Sequence, residues 1–286
     1  MGPIIGVLFD GFAYGMLLFL LSVGLSVTLG MMNFVNLAHC AFAMLGGYVT
    51  VTLVHRFGWP FLATLPMAFI AAAMVSVLLE RTLYRKLYRA SDLDQVLLTI
   101  GLAFMSIASA AYIFGTVLQP AVTPNWLRGS VVYFGINFAV YRLFLVAVGL
   151  AVTVVLVLML EYTRFGQQVR AAVDNQRMAR GLGINVDGTF AVAFALGSGL
   201  AGLGGALAIE IVGLDPSFAL IYLVYVLIVV SVGGLGSIWG SFVAAVLIGI
   251  SDMAGKYYVP GIGAFMIYLV MIVLLMWRPQ GLFGKR

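Results

Sequence analysis

Asn33, Asn36 and His39 recur at spacing three in the run NFVNLAHCAFAMLGGYV, residues 33–49. On a helix that spacing puts all three side chains on one face. Amide and imidazole groups in an apolar setting are costly, so they face a cavity, a partner helix or unwound backbone. The chemistry on offer is recognition of a polar solute, not covalent catalysis. The residues leave two readings open. One is a helix start at the membrane interface, capped by Asn33 or Asn36, with His39 bonded to a neighbour. The other is a wall of a translocation pathway.

A second stretch, RFGQQVRAAVDNQRMARGLGINVDG at 164–188, interleaves arginines with small alanines and ends in Gly-Leu-Gly. A short amphipathic helix capped by glycine is expected there. Arg170, Ala171, Asn175, Arg177, Ala179, Arg180, Gly181 and Gly183 fit a knob that docks in another protein's groove. They fit a solvated, positively charged connector equally well.

Small residues form two further patterns. In GSGLAGLGGALA, residues 197–208, Ser198 pairs with Gly202 and Ala201 with Gly205 at four-residue spacing, which lets helix backbones approach closely. Gly233, Gly234, Gly236 and Gly240 suit a break between half-helices, where freed backbone groups line a pathway.

The usual catalytic constellations are missing. No GxxxxGK[ST] run occurs, so no ATP site is expected in this chain; HExxH and GxSxG are absent too. His39 and His55 are the only histidines and Cys40 the only cysteine, which leaves no expected metal site and no intrachain disulfide. Of the acidic residues Asp10, Glu80, Glu161, Glu210, Asp215 and Asp252, most lie at segment ends. Asp252, with Glu210 as the second candidate, is expected at depth.

The elements that carry these residues follow from composition. Hydrophobic residues fill 63% of 286 positions and charged residues only 9%, so most of the solvent must be lipid. Apolar runs near 20 residues recur without the period-2 alternation of barrel strands, which predicts an all-α polytopic bundle in the inner membrane. Segments are expected at about 4–29, 37–54, 61–79, 95–118, 141–160, 189–212, 220–236, 239–253 and 262–277. That is eight or nine crossings, with the second re-entrant or the seventh and eighth broken. The first lacks a basic lead and a cleavage site and reads as a retained membrane segment. No stretch is long enough for a soluble domain, so one membrane domain is expected over 1–286.

Basic residues cluster in three places: Arg81, Arg85, Lys86 and Arg89; Arg164, Arg170, Arg177 and Arg180; and Arg278, Lys285 and Arg286. Even numbers of segments separate them, so all three are expected in the cytoplasm, with the C-terminus. If all of the first three segments cross, the N-terminus is periplasmic. The net charge of +5 is scattered over short loops and forms no basic stripe for nucleic acid.

Taken in order, GLSVTLGMMNFVNLAHCAFAMLGGYV, RAAVDNQRMARGLGINV, FALGSGLAGLGGAL, SVGGLGSIWGSFVAAVLIG and WRPQGLFGKR resemble the permease family of branched-chain amino acid ABC importers over nearly the whole chain. The match is closer to the shorter, first permease of the usual pair. The resemblance implies a homologous second permease, two cytoplasmic ATP-binding subunits that hold ATP and Mg, and a periplasmic substrate-binding protein. It implies an ATPase-coupling helix at about Arg170 to Gly183 and a pathway role for Asn33, Asn36, His39, Gly233, Gly234 and Gly236. Family members import leucine, isoleucine and valine, and relatives take other amino acids, urea, short amides or aromatic acids. Cys40 stands where NLAHG-type motifs have glycine, and Ala41 where a polar or acidic residue is usual; both departures bear on substrate choice. The alternative class is an autonomous secondary transporter or channel for a small polar solute.

Overall fold

The first helix, α1 (Gly2–Met32), packs antiparallel along α10 (Ile238–Tyr258), with Gly11 set against the backbone of Ile250 and Gly15 against Ala245. These are close approaches that only small residues permit. The computed structural model describes residues 2–32, 34–87, 90–133 and 136–284. Asn33, Arg89, Lys285 and Arg286 lie outside the described residues.

Between those helices run α2 (His39–Phe57), α3 (Phe61–Leu79), α4 (Asp92–Phe114), α5 (Val140–Tyr162), α6 (Arg164–Asp174), α7 (Gln176–Gly181), α8 (Val186–Val212) and α9 (Phe218–Gly233). The last helix is α11 (Met266–Trp277). α3 continues through a π-helical turn, Glu80–Tyr84, into Arg85–Leu87. A two-stranded antiparallel hairpin, β1 (Ser130–Tyr133) and β2 (Ile136–Ala139), joins α4 to α5 with Ser130 opposite Ala139.

Caps mark where several of these helices begin and end. Ser91 and Asp94 form a reciprocal capping box at the start of α4. Gly58, in the left-handed region at φ 66°, closes α2 by donating its N–H to Val54 O at 3.1 Å.

The most enclosed helix is α8. Gly197 meets the backbone of Gly24 in α1, Gly202 meets Gly46 in α2 and Ala68 in α3, and Gly205 meets Ala43. Ser198, Ala201, Gly202 and Gly205 are all buried in these crossings. The small-residue pattern therefore lies where three helices converge on a fourth.

Among the described residues, seven helices are long and apolar enough to cross a membrane, and α9 and the segment Gly263–Trp277 are shorter apolar helices. The all-α polytopic bundle expected from the sequence is what forms. The eighth segment differs: it was expected to be short, ending near 253, but α10 runs 21 residues to Tyr258. Asp252 and Lys256 end the apolar run, yet they pair at i,i+4 and so keep the helix going.

Contacts between helix ends define two faces. On one, Arg85 Nη2 lies 2.6 Å from Asp187 Oδ2, Gly30 abuts Gly236, and Gly281 of the C-terminal tail packs on Gly234. On the opposite face Asp10 pairs with Arg142, Thr123 bonds Glu210, and Gln119 N–H donates to Leu214 O at 2.8 Å. The described parts of all three basic clusters thus share one face, and the start of α1 lies on the other. α2 is not re-entrant: Val35, just before it, bonds Gln95 near one end of α4, while Tyr48 stacks on Phe114 at the other, centroids 4.3 Å apart.

Candidate functional site

On the basic face, residues 163–188 fold as two short helices rather than the single helix expected. Three side-chain caps explain the shape. Thr163 Oγ1 accepts from Gly166 N–H at the start of α6, Asn175 Oδ1 from Met178 N–H (3.0 Å) at α7, and Asn185 Oδ1 from Gly188 N–H (2.9 Å) at α8. Asn175 is extended, at φ −157° and ψ 97°, so the chain breaks there and turns. Gly183, at φ 81°, makes the last turn into α8.

A small apolar cluster fastens this motif to the membrane bundle: Val169 and Ala172 of α6, Ala179 of α7, and Val186, Phe190 and Ala193 of α8. Asp187 adds ion pairs to Arg85 (2.6 Å) and Arg180 (2.8 Å). Arg170 bonds the Leu160 carbonyl and Ala171 packs on the cluster. Among the residues expected to dock, Arg170, Ala171, Ala179 and Arg180 therefore fasten the motif.

The outward face is carried by Asn175, Arg177, Gly181 and Gly183, all exposed. With them stand Met178 and Leu182, 66% and 80% exposed, which sequence reasoning passed over. Asn175, Arg177, Met178, Gly181 and Leu182 line one open groove. An apolar pair at i,i+4 in an otherwise polar segment was the available signal. A braced, exposed apolar pair beside an arginine is a surface suited to receiving another protein.

The polar run before α2 forms a non-helical lead rather than the shared face that spacing three gives on a helix. The helix starts only at His39, and Ala38 is its N-cap. Asn36 sits in the non-helical lead, where its Oδ1 accepts from Ala38 N–H at 3.0 Å. Such a local turn competes with helix, so Asn36 and His39 do not share a helical face. Both are buried, and His39 Nε2 lies 3.0 Å from Leu21 O. α4 secures the lead through Gln95 Oε1, which accepts from Val35 N–H, and Thr99 Oγ1, which donates to Val35 O.

The glycine break between α9 and α10 is filled by the C-terminal tail. Gly234 and Gly236 have φ of 97° and 78°, as a tight break requires. Leu282 N–H donates to Val232 O at 2.7 Å and Phe283 N–H to Gly233 O at 3.1 Å. Two carbonyls at the end of α9 thus find tail amides as partners.

Acidic residues at depth also depart from expectation. Asp252 is buried as expected, but Glu210 is exposed and held by Thr123, while Glu80 is buried in the π-helical turn. Glu80 is thus buried at what the sequence presents as a segment end.

A many-pass helical bundle with a braced two-helix motif on its basic face defines the class: a polytopic membrane protein. Residues 7–275 match the family described as branched-chain amino acid transport system / permease component, and the chain belongs to that family. It is 29% identical over 290 residues to the probable branched-chain amino acid transport permease protein LivH of Methanocaldococcus jannaschii, covering 95% of this chain and 90% of the relative. To the high-affinity branched-chain amino acid transport system permease protein LivH of Escherichia coli K12 it is 24% identical, covering 97% and 94%. Against LivM of the same bacterium identity is 25%, with 93% of this chain but 68% of the relative covered. The chain is thus similar to the shorter type of permease over almost its full length. No solved structure matches it.

Proposed function

We propose that this chain is the membrane-spanning permease subunit of a binding-protein-dependent ABC importer, forming with a homologous second permease the pathway for branched-chain or related amino acids. The observation that carries this reading is the groove of Asn175, Arg177, Met178, Gly181 and Leu182, exposed on a motif whose other side is locked to α8. A rigid lever needs such bracing, because a loosely tethered loop would absorb a push instead of transmitting it. Two cytoplasmic ATPases bind and hydrolyse ATP with Mg, and their closure moves this motif. Through α8, on which α1, α2 and α3 converge, that motion reaches the whole bundle.

In this reading residues 1–286 are one permease domain. The basic face lies in the cytoplasm with the C-terminus, and the start of α1 lies in the periplasm, where a substrate-binding protein delivers the solute. The chain itself supplies no catalytic group.

Purification of tagged chain from native membranes in mild detergent tests the assembly. A second permease and subunits carrying GxxxxGK[ST] are expected to co-purify. Recovery of this chain alone, under conditions that keep comparable complexes intact, would favour an autonomous transporter or channel.

A further inference from the structure

Six residues before the end of α10, about 9 Å below the face opposite the 163–188 motif, the structure buries a carboxylate that pairs with a half-exposed lysine. Asp252 is 1% exposed, and its Oδ2 lies 2.6 Å from Lys256 Nζ, whose side chain is 49% exposed. Asp252 Oδ1 is buried and has no hydrogen-bond partner among the described residues. Lys256 Nζ sits 5.7 Å from the centre of the Tyr14 ring of α1. Tyr222 of α9 lies beside Tyr14, and Tyr225 lies close to Asp252. Three helices therefore meet here: α1, α9 and α10.

We infer that Asp252, Lys256, Tyr14 and Tyr222 form a transit site for a zwitterionic α-amino acid with an apolar side chain. A buried carboxylate with one oxygen unpartnered carries a desolvation cost that a donor relieves. A substrate ammonium supplies that donor at Oδ1. The substrate carboxylate then takes Lys256, whose half-exposed ammonium is open to the opposite face. A zwitterion enters such a pair without leaving a net charge buried, whereas a lone cation or a lone anion leaves one unmatched. The half-buried Tyr222 ring offers flat apolar surface to the side chain. The site rests on the permease reading above and goes further by naming the groups that hold the solute.

The test uses the complex purified with its partner subunits, reconstituted in liposomes, and a photoreactive diazirine analogue of leucine. Labelled peptides from α1, α9 and α10 around Tyr14, Tyr222 and Lys256 are expected. D252N should cut that label at least tenfold while binding-protein-stimulated ATP hydrolysis persists, and K256R should retain it. A merely structural ion pair would lower ATP hydrolysis and label together. If D252N does not assemble, the half-exposed K256Q carries the same expectation. Labelling elsewhere, or label unchanged in these variants, overturns the site while leucine uptake by the wild-type complex keeps the permease reading. If the wild-type complex takes up no amino acid, both fall together.

Discussion

Asp187 Oδ2 lies 2.6 Å from Arg85 Nη2, so the first turn of α8 is tied to the extension of α3, 102 residues earlier in the chain. The other oxygen of the same carboxylate holds Arg180 at 2.8 Å. One side chain thus joins the docking motif, the central helix and a peripheral helix. Both pairs are about half exposed, which limits their effect on stability but not on positioning. D187N is expected to cost less than ~1 kcal/mol of stability. It should nonetheless speed tryptic cleavage after Arg177 and Arg180 several-fold, as limited proteolysis of the detergent-solubilised protein will read. Unchanged cleavage would mean the apolar cluster alone holds the motif.

Ala179 and Leu182 separate fastening from docking. Ala179 is 1% exposed within the Val169–Phe190 cluster, so A179L overpacks it and should destabilise the motif by ~1–3 kcal/mol. L182D changes a residue that is 80% exposed and should leave thermal stability within ~0.5 kcal/mol of wild type. Co-purification of ATPase subunits should fall at least tenfold in L182D. Equal effects of the two changes on unfolding temperature would contradict this division.

Helix crossings at α8 tolerate almost no added volume. A Cβ on Gly202 would lie 2.6 Å from Ala72 Cβ and 2.8 Å from Ala68 O. G202A should therefore destabilise the bundle by ~1–3 kcal/mol, measurable as a lower midpoint in detergent unfolding. Gly181 has open space around it, so G181A is the matched control and should leave that midpoint in place.

The C-terminal tail should matter for the same structural reason as a cap. Truncation after Arg278 removes the donors to Val232 O and Gly233 O. Each carbonyl left unsatisfied costs ~1–3 kcal/mol, and amide exchange in the last turn of α9 should rise accordingly. Hydrogen exchange of 228–240 unchanged by truncation would show that the tail only rests on the break.

Much of this was legible in the sequence because membrane helices announce themselves by length. The nine apolar segments reappear as helices within a few residues, and the small-residue spacing around Ser198–Gly205 falls at the crossings. What was hidden depends on local competition or on distant chain. The polar lead of α2 reads as helix at spacing three, but the Asn36 turn wins, and Gln95 and Thr99 secure it from 60 residues away. The filling of the Gly233–Gly236 break needs the C-terminal tail, which no local pattern announces. The eighth segment reads as ending near 253, but Lys256 pairs with Asp252 one turn earlier and the helix runs on to Tyr258.

If the 175–182 surface couples ATP hydrolysis to amino acid import, transport depends on that surface and on ATP together. Proteoliposomes containing the purified complex, with ATP enclosed and loaded binding protein outside, test it through uptake of radiolabelled leucine. Accumulation by the wild type should require enclosed ATP, and L182D should lose at least nine-tenths of it with the chain still inserted. Full ATP-driven uptake by L182D, or equal uptake by liposomes containing this chain alone without ATP, would contradict that coupling.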